Sequence, residues 1–108
     1  MTSVKLYISR AEYPPGRYLV VVNGEGFYGS VGAGVGARIR GEDPWFDDAL
    51  FSIPGYYSHV EFDGTFTLST TVPGSKLNED WGQDEIYALV KVGGPNSEFR
   101  SNTVKGYF

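Results

Sequence analysis

An all-β sandwich is the fold class the sequence predicts, and three observations predict it. The longest apolar run, Glu85-Ile86-Tyr87-Ala88-Leu89-Val90-Lys91-Val92, is rich in β-formers and apolar on both faces of an extended strand. Short alternating segments recur along the chain, separated by turns rich in Gly and Pro. Apolar residues at helical spacing are missing. The 85–92 run reads as the centre of a sheet rather than its edge. Ile86, Ala88, Val90 and Val92 fall on one face; Tyr87, Leu89 and Lys91 fall on the other. The 108 residues suit one domain, 1–108. Such a chain buries roughly 60–70% of its unfolded surface, so one core needs no staples.

Composition removes several classes of function. Cysteine is absent, which excludes disulfides, thiolate ligands and a thiol nucleophile. The formal net charge is −4. Nucleic acid and anionic lipid attract basic faces, so neither is an expected partner. No apolar stretch approaches the ~20 residues needed to span a bilayer, so no membrane insertion is expected. The start, Met-Thr-Ser-Val-Lys, lacks the pattern of a secretory signal. The favoured expectation is an excised or mature extracellular or cell-surface segment, because the sequence ends on its last strand. A cytoplasmic protein is the alternative.

In chain order, Val4, Leu6 and Ile8 alternate with Lys5, Tyr7 and Ser9, which predicts a half-buried first strand. Tyr13-Pro14-Pro15-Gly16 ends it in a turn. Arg17 to Asn23 carries Tyr18, Val20 and Val22 on one face and Leu19 and Val21 on the other, which predicts a second central strand. Gly24-Glu25-Gly26-Phe27-Tyr28-Gly29 matches the dinucleotide fingerprint Gly-x-Gly-x-x-Gly. The fingerprint needs a helix to follow, and Ser-Val-Gly-Ala-Gly-Val-Gly cannot supply one. These glycines are expected to permit positive φ in a bend. Val35, Ala37 and Ile39 alternate with Gly36, Arg38 and Arg40, a third strand with a basic outer face. Two arginines on one face can hold a carboxylate or phosphate, or be paired with acidic neighbours.

Gly41 to Ser58 is the most irregular stretch, with a short strand expected near Leu50 to Ile53. Long loops in small domains are often functional. This one sets Trp45, Phe46, Phe51, Tyr56 and Tyr57 beside Glu42, Asp43, Asp47 and Asp48. Trp45, Phe46, Tyr56 and Tyr57 are candidate contacts for a carbohydrate or protein ligand. Glu42, Asp43, Asp47 and Asp48 are candidate Ca²⁺ ligands, since Ca²⁺ takes six to eight oxygens, although the spacing is not that of an EF-hand loop. The plainer reading is that the rings cap the open end of the sandwich while the acids solvate the loop.

His59 is the sole histidine. Ser58 beside it suggests a hydrolase, but neighbours in an extended chain point to opposite faces. No Gly-x-Ser-x-Gly elbow is present either. No catalytic residue is therefore expected. Asp63-Gly64 is a strong hairpin signal. After it Thr65 to Val72 alternates in a half-buried strand, with Phe66, Leu68, Thr70 and Val72 inward and Thr65, Thr67, Ser69 and Thr71 outward. Pro73-Gly74 ends that strand. Ser75 to Asp84 is polar around Leu77 and Trp81, with a second acidic group at Asn78-Glu79-Asp80 and Asp84-Glu85. Trp81 reads as a lid on the core. Gly93-Gly94-Pro95-Asn96 is a turn, and Phe99 to Phe108 the last strand.

About seven antiparallel strands result, the number of a constant-type immunoglobulin sandwich; a partly open barrel is the alternative. Three segments resemble the IPT/TIG-type and related early-set bacterial immunoglobulin-like domains. They are Val20-Val21-Val22-Asn23-Gly24-Glu25-Gly26-Phe27, Asp63-Gly64-Thr65-Phe66 running to Val72-Pro73, and Val90-Lys91-Val92-Gly93-Gly94 with Ser101-Asn102-Thr103-Val104. The resemblance covers about half the chain. It implies an immunoglobulin-like β-sandwich acting as a spacer, adhesion or accessory binding domain among the neighbouring domains of a larger surface protein. No cysteine pair and no third-strand tryptophan occur, so the antibody type is excluded.

Overall fold

The computed structural model describes residues 1–43, 47–53, 58–78, 82–93 and 97–108. Within them the chain is a β-sandwich of eight strands: β1 (Ser3–Arg10), β2 (Arg17–Glu25), β3 (Val35–Gly41), β4 (Asp48–Ile53), β5 (Phe66–Pro73), β6 (Asp84–Val92), β7 (Glu98–Arg100) and β8 (Val104–Gly106). One antiparallel sheet has the order β1-β2-β5; the other runs β4-β3-β6-β7, with β8 also on β6. A constant-type sandwich keeps its fourth strand with the first, second and fifth. Here β4 pairs with β3 instead.

The core is made by alternation. Val4 and Leu6 of β1, Val20 and Val22 of β2, and Phe66, Leu68 and Val72 of β5 turn inward. They meet Val35, Ala37 and Ile39 of β3 and Ile86, Ala88, Val90 and Val92 of β6. β6 lies inside its sheet, between β3 and the β7–β8 pair, as its apolar run predicts. Lys91 points to solvent, but Tyr87 on the same outer face is buried. The Arg100 guanidinium covers it, 3.8 Å from the ring centre.

β2 is central too, yet its outer face has no second layer: Leu19 is 37% exposed. Its outer apolar residues instead pack across strands. Val21 stands between Tyr7 and Ser69 in register. The two glycines at the end of β2 differ in purpose. Gly26 has φ of +81°, as expected of a bend. Gly24 lies in the strand, and a Cβ there would stand 2.0 Å from the Phe66 ring, so it gives that ring its space. A three-residue 3-10 turn at Tyr28–Ser30 follows, too short to cradle a pyrophosphate.

Two expectations are corrected. The Asp63-Gly64 turn forms, with the Gly64 N–H donating to the Glu61 carbonyl at 2.9 Å and the Thr65 hydroxyl to the Asp63 carboxylate at 2.6 Å. However, no strand leads into it, only a single bridge between His59 and Gly34. The last strand is also two strands, not one. The Ser101 hydroxyl accepts the Ala88 N–H at 2.8 Å, and Asn102 turns its side chain to β1. There it accepts the Leu6 N–H at 2.8 Å and donates to the Leu6 carbonyl at 3.2 Å. The ladder breaks because two polar side chains take main-chain partners on different sheets.

Candidate functional site at the root of the long loop

The outer face of the larger sheet presents three side chains in a row. Arg40 on β3 stands opposite Tyr87 on β6, and Arg100 on β7 stands opposite Leu89, one pleat along. All three reach the first leg of the loop that leaves β3. The Arg40 guanidinium donates to the Asp47 carbonyl at 2.8 Å. The Tyr87 hydroxyl donates to the Asp47 carboxylate at 2.5 Å. Arg100 pairs with the Glu42 carboxylate, which also accepts from the Thr103 hydroxyl at 2.9 Å. The Glu42 N–H donates to the Glu85 carbonyl at 2.7 Å, extending sheet-like bonding one residue past β3. The Asp43 N–H closes back on the Asp47 carboxylate at 3.4 Å. Residues 43 and 47 are thereby held close together against the outer face of the sheet.

The electrostatics follow from these contacts. The Tyr87 hydrogen bond is the chief cause holding the Asp47 carboxyl below its ordinary value, helped by the Asp43 amide and by Arg100 and Arg40 and opposed by desolvation. Burial pushes the Tyr87 phenol up, and the Asp47 carboxylate adds to the shift. Between them the two groups hold one proton on tyrosine and one negative charge on aspartate across the neutral range.

The sequence-derived candidates divide sharply. Trp45, Phe46, Tyr56 and Tyr57 lie outside the described residues, as do Glu79, Asp80 and Trp81. Of the four acidic candidates, Glu42 is engaged by Arg100 and Thr103, and Asp47 by Tyr87. Asp43 is half-buried at the loop's start, and Asp48 is exposed at the start of β4. Among the described residues no group of three or more His, Asp or Glu side chains is placed to hold a metal ion. Arg38 and Arg40 share the outer face of β3 as expected. Arg38 is spent on Glu98 at 2.8 Å, however, and Arg40 on a carbonyl, so no twin-arginine anion clamp is assembled. Ser58 and His59 part company: the serine hydroxyl lies 3.5 Å from the Thr67 carbonyl, and His59 faces Glu61 at 3.7 Å in open solvent.

Arg100, Thr103 and the role of Tyr87 escape sequence reading. Arg100 and Glu42 are 58 positions apart, and nothing in local spacing links them. The one available signal is the odd aromatic on the charged face of β6. The chain matches no family model, no curated protein and no solved structure.

Proposed function

We propose that this chain is a non-catalytic immunoglobulin-like module: a spacer, adhesion or accessory binding domain of a larger surface or secreted protein. Its ligand, a protein or a carbohydrate, is met by the loop 41–58. One observation carries this reading: the first leg of the loop is bolted to the sheet by Tyr87, Arg40 and Arg100. A loop held at its base loses less freedom on binding, and sites built on rigid strands keep their geometry. The strand order supports the immunoglobulin-like part, with β2 and β5 in one sheet and β3 and β6 in the other. The separation of Ser58 from His59 weighs against a serine–histidine hydrolase. The net charge of −4 argues against nucleic acid, and no described helix is long and apolar enough to cross a membrane.

A Ca²⁺-stabilised structural domain is the rival reading. The contacts of Glu42 and Asp47 weigh against it, because a metal would have to displace Arg100 and Tyr87. Binding to a glycan and protein array, lost in the Trp45→Ala, Tyr57→Ala double variant of unchanged melting temperature, is the expected result. An empty array, or binding indifferent to both changes, refutes the binding role of the loop. A melting temperature that rises with Ca²⁺ and falls in EDTA would favour the rival.

A further inference from the structure

A sheet edge left open is a template for another strand, and folded proteins usually close theirs. Three of the edges here are closed in different ways. Asn102 plugs the edge of β1 at Leu6. The β3–β4 ladder is bulged between Ile39 and Arg40, and β4 opens on Asp48. The far edge of the larger sheet is broken between β7 and β8 and carries Glu98, Arg100 and Lys105. Among the described residues β5 has no bulge, no break and no charge over its eight residues, Phe66–Pro73, and its free edge is met only by the Arg17 and Ser58 side chains, at Thr71 and Thr67.

The hydrogen-bond directions show which groups of β5 are presented. Leu6 stands opposite Val22 but gives both its main-chain groups to Asn102, on the side away from β2. Val22 must then turn its own N–H and carbonyl toward Leu68 of β5. Alternation aims the main-chain groups of Thr67, Ser69 and Thr71 at the open side. Two side-chain contacts agree: the Arg17 guanidinium reaches the Thr71 carbonyl at 2.8 Å and the Ser58 hydroxyl reaches the Thr67 carbonyl at 3.5 Å. Both visitors are side chains in exposed hydrogen bonds, and each carbonyl keeps a second lone pair. Neither reaches Ser69, midway between them.

We propose that this edge pairs with β5 of a second copy of the chain, antiparallel about a two-fold axis at Ser69. The row Thr67-x-Ser69-x-Thr71 reads the same in both directions, so the axis sets serine against serine and threonine against threonine. On the inner face Leu68 meets Thr70 and Phe66 meets Val72. No residue of β5 brings like charges together, which matters for copies that each carry −4. The two three-stranded sheets become one of six strands.

Sedimentation equilibrium of the full chain from micromolar to millimolar concentration tests this. A monomer–dimer equilibrium is expected, with exchange of the Ser69 amide slowing as concentration rises. Ser69→Pro removes the central donor at a position where the fold itself does not use the N–H. Ser69→Lys sets two positive charges face to face. Each should weaken the dimer at least about tenfold. The wild-type exchange measurement stands even if a variant fails to fold. A chain that stays monomeric at millimolar concentration overturns the proposal. So does a dimer indifferent to both changes with unaltered Ser69 exchange, which would move the contact elsewhere, such as to the exposed Phe62 and Tyr28.

Discussion

Replacing Asn102 by alanine tests the tie between the two sheets. The side chain makes two hydrogen bonds to Leu6, at 2.8 and 3.2 Å, and Leu6 is 1% exposed. A hydrogen bond contributes about 1 kcal/mol net, so two give about 2 kcal/mol, rising to about 3 if the Leu6 groups stay dry without a partner. For a domain of this size a 2 kcal/mol loss lowers the melting temperature by about 8–10 °C. Urea unfolding followed by circular dichroism, with wild type and variant sharing one m-value, gives the free energy directly. Asn102→Asp is the informative companion. It keeps an acceptor for the Leu6 amide but sets a second oxygen against the Leu6 carbonyl. Its stability should recover as pH falls and the protonated carboxyl becomes a donor. A loss below about 0.5 kcal/mol for Asn102→Ala, the level of an ordinary surface change, would refute the tie.

Three further outcomes are expected. Val90→Asp should abolish the cooperative melt, because the side chain is fully buried in the middle of β6 and a lone charge there has no partner. Gly24→Ala should destabilise by about 1–3 kcal/mol, since its Cβ would stand 2.0 Å from the Phe66 ring; Phe66→Leu in the same chain should restore part of that in a thermal melt. Tyr87→Phe should flatten the acid limb of the stability curve. The Asp47 carboxyl is held below its ordinary value in the folded state, so its contribution is full above about pH 4 and lost as pH falls below that. Removing the hydroxyl removes the chief cause, and urea titrations between about pH 5 and pH 2 should show the smaller slope.

Where alternation decides burial, the sequence was readable. Phe66, Leu68 and Val72 are buried while Thr67, Ser69 and Thr71 are exposed, as their spacing requires. β6 is central for the reason its composition suggests. Reading stopped where the deciding contact is distant or polar. The outer apolar residues of β2 look the same in sequence whether a second layer covers them or only cross-strand neighbours do. Asn102 reads in sequence as one more residue of a last strand over 99–108, because its partner is 96 positions away. The acids of the loop looked like metal ligands. The arginine and tyrosine that claim Glu42 and Asp47 come from two other strands and are brought near only by the fold.

The clip at Asn102 also has a mechanical meaning. Asn102 meets Leu6 in the middle of β1, and Phe108 meets Tyr18, which stands opposite Arg10 at the end of β1, so the chain through β8 runs in the same direction as β1 on the facing sheet. Met1 lies against Gly26 at one end of the sandwich and Phe108 against Gly74 at the other. Tension applied between residues 1 and 108 therefore slides β1 along β8 rather than peeling it away. Both bonds of the amide are loaded together.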